Sequence, residues 1–234
     1  MAAYYNEYEP YAAQWLRNLI KAGLIADGEV DERSIEEVQA DELKGFTQCH
    51  FFAGIGGWSY AARLAGWPDD RPLWTGSCPC QPFSTAGKRK GVDDERHLWP
   101  VFFNLIRQCR PRIVFGEQVG KKPGLEWLDG VRNDLQMALY AVGAASLCAS
   151  IAGYPERPRL FWVADANGSR QCGSAIYEEA SRLPKAPERS VRDWCCSKGL
   201  VSGGNGFPDR VGRLRAYGNA IVPQVAAEFI KAVM

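Results

Sequence analysis

Between residues 47 and 165 the chain alternates short β-rich apolar runs with stretches of helical periodicity, and this constrains its fold more than any other feature. The strand-like runs cover about 47–52, 73–77, 112–116, 142–150 and 160–165; the helical ones cover about 58–66, 99–109 and 124–139, with Pro100 suited to an opening turn. Strands that alternate with helices predict an α/β fold built on a parallel sheet, with ligands bound beyond the carboxyl ends of the strands. Three chemically suggestive features fall at such ends: the glycine turn at residues 54–57, Cys80 and Glu117.

Cys80 lies in Ser77-Cys78-Pro79-Cys80-Gln81-Pro82-Phe83-Ser84, directly after a strand-like run and before a polar, basic loop. A reactive thiol needs such a place, pinned by rigid backbone and open to a ligand, although most free cysteines are inert core residues. Upstream, Phe51-Phe52-Ala53-Gly54-Ile55-Gly56-Gly57-Trp58 places glycines between a strand and a helix, where backbone can approach a cofactor closely. Its Gly-x-Gly-Gly spacing is not that of a pyrophosphate-gripping dinucleotide turn. Downstream come Gly116-Glu117-Gln118-Val119, then Arg157-Pro158-Arg159 before another strand-like run, and finally Tyr217-Gly218-Asn219-Ala220-Ile221-Val222-Pro223-Gln224. Two arginines two residues apart on a strand share one face and so can share a target.

Together and in this order, these five motifs resemble the DNA (cytosine-5) methyltransferases, most nearly the compact phage and prophage type. The likeness runs from about Gln48 to Ala164 and from Arg210 to the C-terminus. It implies a Rossmann-like class I S-adenosylmethionine-dependent sheet with a very small target-recognition segment. It further implies that Cys80 attacks C6 of cytosine so that C5 can take a methyl group. Glu117 would hydrogen-bond or protonate N3, and Arg157 and Arg159 would hold the base. S-adenosylmethionine would be lined by Phe52, Gly54, Ile55 and Gly56 on one side and by Asn219 and Ala220 on the other. The stretch from Ser84 to Arg96 resembles the family's mobile loop; Gln81, Ser84, Lys88, Lys90 and Arg96 are then expected against double-stranded DNA, with the target cytosine flipped out of the duplex. Two departures stand out. Gln118 occupies the position of an asparagine in the family's Glu-Asn-Val, and Tyr154-Pro155-Glu156-Arg157-Pro158-Arg159 is one residue shorter than the usual arginine motif.

The resemblance also exposes a gap. Ordinary members carry two further strands between the glycine turn and the nucleophile, supplying the acid for the ribose and the contacts to adenine. Here that stretch is reduced to residues 65–76. Either Asp69 and Asp70 take over, or acids of the N-terminal segment, such as Asp31 or Glu32, fold in. The organisation expected is an N-terminal helical or extended segment (1–45), a catalytic and cofactor-binding core (46–165), a reduced recognition region (166–209) and a C-terminal motif with a helix returning to the core (210–234). A helix is expected within residues 1–25, opening at Pro10.

Bulk charge adds little, with 28 Lys+Arg against 27 Asp+Glu, so any nucleic-acid surface must be a local patch. The 8 cysteines form no C-x-x-C pair and only His50 and His97 could add imidazole, which argues against a metal site. No signal peptide or long apolar run is legible, so no membrane association is expected, and the thiols are expected in the reducing cytoplasm of a bacterium or a phage-infected host. Oligomeric state is not legible. Beside DNA methylation stand four alternatives: an RNA cytosine-5 methyltransferase, a catalytically degenerate DNA-binding relative, a variant using a modified donor, and, weakest because of its glycine spacing, an α/β oxidoreductase with the glycine loop on a nucleotide. A small recognition segment predicts a short or relaxed target sequence.

Overall fold

The computed structural model describes residues 2–79, 98–120, 122–152, 154, 157–168 and 220–234. Seven strands make one sheet: β1 (Ala3–Asn6), β2 (Gly28–Asp31), β3 (Gln48–Phe51), β4 (Leu73–Gly76), β5 (Ile113–Val119), β6 (Ala141–Cys148) and β7 (Pro158–Asp165), in the spatial order β2-β1-β3-β4-β5-β7-β6. The helices are α1 (Pro10–Lys21), α2 (Gly57–Ala65), α3 (Trp99–Cys109), α4 (Lys122–Met137) and α5 (Pro223–Lys231). From β2 through β5 all neighbours are parallel, whereas β7 is antiparallel to both β5 and β6. The sheet is therefore mixed rather than parallel throughout. The short link between β6 and β7 explains the reversal, because a parallel crossover needs a dozen or more residues.

The strands alternate their side chains between two cores. On one face Phe51, Trp74 and Trp162 meet α3 and α4 through Trp99, Phe102, Trp127 and Leu135. Phe102 is fully buried with its ring 5.0 Å from that of Phe51. On the other face Leu73, Phe115 and Phe161 meet α2 and α5 through Trp58, Ala61, Phe229 and Ile230. Burying one such aromatic contributes about 1.5–3 kcal/mol. A third cluster, with Tyr5, Leu16 and Ile25, sits under α1. Helix α1 starts where the sequence requires it: Glu9 caps it by accepting the Ala12 amide at 2.9 Å, and Pro10 opens the first turn.

The N-terminal segment is thus part of the sheet. Its two strands are only four residues long and extend the sheet beyond β3, with Asn6 in register with Phe51 on one side and Asp31 on the other. His50 is a satisfied core residue. Its ring stacks on Tyr5 at 5.0 Å, Nδ1 lies 2.9 Å from the Thr75 hydroxyl, and burial pushes its pKa down to about 3.

Glycine 116 shows how tightly β5 and β7 are packed. A Cβ there would stand 2.2 Å from the Trp162 indole. Gly116→Ala is expected to lower unfolding free energy by about 1–3 kcal/mol by overpacking, read as a fall in the denaturation midpoint. Gly130 is exposed within α4 and meets nothing within 4 Å, so Gly130→Ala is expected to raise stability by about 0.5–1 kcal/mol. Equal effects at both sites would contradict the packing described.

Candidate active site at the carboxyl end of the sheet

The parallel strands all end at one rim, and the chemistry gathers there. Strand β3 leads into Phe52, whose φ of +50° is in the left-handed region although it is not a glycine. Such strain persists only where surroundings hold it, and it clusters at functional sites. The Phe52 ring packs edge-on against Phe102 at 6.1 Å. Gly54 (φ +56°) and Gly56 (φ +81°) complete the turn into α2. At Gly54 a Cβ would meet only the Phe52 carbonyl oxygen, at 4.0 Å, so the backbone here borders open space. Gly57 is crowded instead: a Cβ would stand 2.8 Å from Ile221 Cγ1, so the segment after Ala220 closes against the turn.

An acid from the N-terminal segment stands against this turn. Glu7, directly after β1, accepts the Gly54 amide at 2.6 Å through Oε2 and the Glu9 amide at 3.0 Å through Oε1. Burial raises its pKa despite these two bonds. The other suggested acids stand elsewhere or are engaged. Asp69 and Asp70 precede β4 at the opposite rim, and Asp69 pairs with Arg63 at 2.6 Å. Asp31 is held by Arg33 at 2.8 Å and by the Tyr4 hydroxyl at 2.7 Å, and Glu32 pairs with Arg17 at 2.7 Å. Tyr8, the residue after Glu7, is 74% exposed. Neither Glu7 nor Tyr8 was singled out from the sequence. The available signal was the aromatic, β-rich Tyr4-Tyr5 run ending in an acid before a helix start, the same pattern that drew attention to Glu117.

Glu117 lies inside β5, two residues before its end, and is buried. Its Oε1 pairs with Arg159 Nε at 2.7 Å across the β5–β7 ladder. Two influences oppose each other here. Burial raises the pKa, and the charges of Arg159 and Arg157 lower it; burial dominates, bringing the carboxyl up to about 7. A carboxyl poised there can exist as the acid near neutrality even beside an arginine. Arg157 immediately precedes β7 and donates through Nη2 to the Ala220 carbonyl oxygen at 3.0 Å, and its own pKa is lowered, chiefly by burial. Both arginines thus act on Glu117, and one of them also ties down the C-terminal segment.

Gly54, Ile55, Gly56, Phe52, Ala220, Glu117, Arg157 and Arg159 are therefore all at or beside this rim. Cys80, Gln81, Ser84, Lys88, Lys90, Arg96 and Asn219 lie outside the described residues. The strand that leads to Cys80 is β4, between β3 and β5, so the chain enters that segment from between the glycine turn and Glu117. Cys78, just before it, is buried and its thiol is pushed well above the ordinary range by desolvation, which suits a packing role. Among the described residues no cluster of three or more His, Cys, Asp or Glu could hold a metal ion, and no helix is long and apolar enough to cross a membrane.

The mixed seven-stranded sheet with its glycine turn and reversed β7 is a class I S-adenosylmethionine-dependent methyltransferase fold. A methyltransferase of Entamoeba histolytica, EhMeth, superposes with a TM-score of 0.54 at 11% identity, covering 100% of this chain and 98% of that one, a likeness of fold alone. Residues 67–194, more than half of the chain, match the family of C-5 cytosine-specific DNA methylases, and the chain belongs to that family. The type II methyltransferase M.AplI of Arthrospira platensis is 32% identical over 123 residues, which is 47% of this chain and 36% of that enzyme. The type II methyltransferase M.AquIA of Picosynechococcus is 29% identical over 139 residues, 53% of this chain and 54% of that enzyme. The chain thus spans between about a third and about half of the length of these curated relatives.

Proposed function

We propose that this chain transfers a methyl group from S-adenosylmethionine to C5 of cytosine in double-stranded DNA, through a transient bond between Cys80 and C6 that breaks, releasing Cys80, when the C5 proton is lost to a base or ordered water. The observation that carries this reading is Glu117: a buried carboxyl at the substrate rim with a pKa near 7, braced by Arg159, one strand away from the strand that leads to Cys80. C5 of cytosine is a poor nucleophile. Addition of the Cys80 thiolate at C6 turns it into an enamine-like carbon, and Glu117 donating a proton or hydrogen bond at N3 keeps negative charge from building on the ring. Arg157 and Arg159 hold the base and Glu117 in one orientation.

The glycine turn fits the donor. Its backbone borders open space at Gly54, the Glu7 carboxylate beside it can accept two hydroxyls of a ribose, and Tyr8 can stack on a purine. In this reading Phe52, Ile55 and Gly56 line one side of the donor and Ala220 the other, with Asn219, outside the described residues, expected beside it. S-adenosylmethionine, when bound, supplies a methyl group on a positively charged sulfur. The protein's part is to exclude water and hold C5 in line. In this reading Gln81, Ser84, Lys88, Lys90 and Arg96 contact the DNA, and turning the cytosine out of the stack costs a few kcal/mol, offset by their contacts to phosphates and the vacated space.

Glu7→Ala is expected to weaken S-adenosylmethionine binding by about 10–100-fold, the worth of losing charge-assisted bonds to hydroxyls, measured by calorimetry on the full chain. Unchanged affinity would remove Glu7 from the donor site. The reaction itself is tested by incubating the chain with duplex DNA or RNA and labelled S-adenosylmethionine, followed by nucleoside mass spectrometry. 5-Methylcytosine from DNA supports the proposal. Label only in RNA would move the substrate, a heavier adduct would indicate a modified donor, and donor binding without any product would indicate a degenerate relative.

A further inference from the structure

We propose that Trp58 and Gln118 are positioning residues, which hold the exit of β4 from its two sides and thereby aim the segment that runs into Cys80. This rests on the reading of Cys80 as the nucleophile. The problem they solve is visible in the ladders. Strand β4 pairs with β3 as far as Phe51↔Gly76, and with β5 only at Trp74↔Val114 and Thr75↔Phe115. Beyond Gly76 the sheet's ladders no longer reach the chain, and Pro79 has no amide hydrogen to contribute. Yet Cys78 is 5% exposed, so this stretch is packed down. Something other than the ladder must fix its direction.

Two side chains do so, from opposite neighbours. Trp58, in the first turn of α2 after the glycine turn, donates its indole N–H to the Ser77 hydroxyl at 2.9 Å. The indole is held on both sides, stacked on Phe115 at 6.0 Å and edge-on to Phe161 at 5.9 Å, and is 4% exposed. Its N–H direction is therefore set by the core and not by the loop it holds. From the other side Gln118, 2% exposed and next to Glu117, donates through Nε2 to the Cys78 carbonyl at 3.4 Å while its Oε1 accepts the Val119 amide at 3.0 Å. The first brace links the exit to the donor side, and the second links it to the strand that carries the acid. Both need the residues this chain has: a hydroxyl at Ser77, an indole at Trp58 and, at Gln118, an amide long enough to serve its own strand and the neighbouring one.

The braces predict a loss in the chemical step without a loss in binding. Trp58→Phe keeps an aromatic ring on Phe115 but removes the N–H; Ser77→Ala removes its acceptor; Gln118→Met keeps length and volume but cannot bond. Each is expected to lower kcat about tenfold or more, since small misplacements of a reacting group cost up to about 10²-fold, with the donor KM changed less than about twofold. The Trp58→Phe/Ser77→Ala double variant should be no worse than the worse single one, because both remove the same bond. Ser77→Thr, which keeps the hydroxyl, should retain most of the activity, separating the bond from any folding defect. A second readout needs no turnover: the pH dependence of iodoacetamide labelling at Cys80, followed by peptide mass spectrometry with Cys109 as the internal control. It should shift in the Trp58, Ser77→Ala and Gln118 variants and stay unchanged in Ser77→Thr. Additive losses in the double variant, or a labelling profile at Cys80 identical to the parent's in all variants, would overturn the proposal. A parent chain that methylates nothing would count against the proposed function, and the labelling profiles would still decide this one.

Discussion

Cys80→Ala is expected to reduce methyl transfer by on the order of 10⁴–10⁶-fold, the scale on which removal of a nucleophile acts when its partners remain in place, while leaving donor affinity within about twofold. The reason is chemical. Without the C6 adduct, C5 has no electron density to offer the methyl group, and no other described thiol can substitute. Cys78 is the nearest in sequence, but it is buried, and desolvation holds it in the neutral thiol form. The check is single-turnover transfer to duplex DNA for parent and variant, with calorimetry of donor binding. Substantial residual transfer in Cys80→Ala would mean that the reaction takes another course.

Glu117→Gln carries the second largest expected effect, a fall of about 10²–10³-fold in kcat, typical of removing a general acid. It also makes a prediction about pH. The carboxyl has a folded pKa of about 7, raised from 4.5 mainly by burial. The form able to donate a proton to N3 is lost as pH rises through about 7, so the parent's kcat should fall on that limb. The glutamine variant, at its lower level, should not share that ionisation. The same shift fixes the sign of the stability change. Between about 4.5 and 7 the folded protein holds a proton that the unfolded chain has released, so stability should decline as pH rises across that window. Glu117→Gln should remove that decline. If the pairing with Arg159 outweighed burial, stability would be flat across this window and would rise with pH only below about 4.5, and a pH series of denaturation midpoints tells the two apart.

Much of this site could be read along the chain because its pieces are local. The strand–glycine–helix turn at Phe52 to Trp58 announces itself by composition, Glu117 and Arg159 stand on runs whose β character is plain, and Arg157 directly precedes one of them. The core helices likewise follow from spacing, Phe102, Leu105 and Ile106 forming the buried face of α3. What could not be read is non-local. β1 and β2 are four residues each, too short for periodicity to register, and their place in the sheet depends on parallel pairing with residues far along the chain. The contact that brings Glu7 to Gly54 joins positions 47 apart in sequence. By sequence Asp31 and Glu32 are equally suitable acids; the fold gives each an arginine partner. The reversal of β7 follows from the length of its link to β6, which is too short for a parallel crossover. The braces at Ser77 and Cys78 are invisible for a related reason: an indole and an amide on two other elements meet a strand exit only once the sheet order is known.

The most direct test of the account is to trap the intermediate. A duplex carrying 5-fluorocytosine, incubated with the chain and S-adenosylmethionine, cannot lose the C5 substituent as a proton, so the bond from Cys80 to C6 should persist. Mass spectrometry of the denatured mixture should find one oligonucleotide plus one methyl group attached to the peptide containing Cys80, dependent on the donor and absent in Cys80→Ala. Methylation of ordinary duplex DNA with no donor-dependent adduct, or an adduct at any other cysteine, would contradict it.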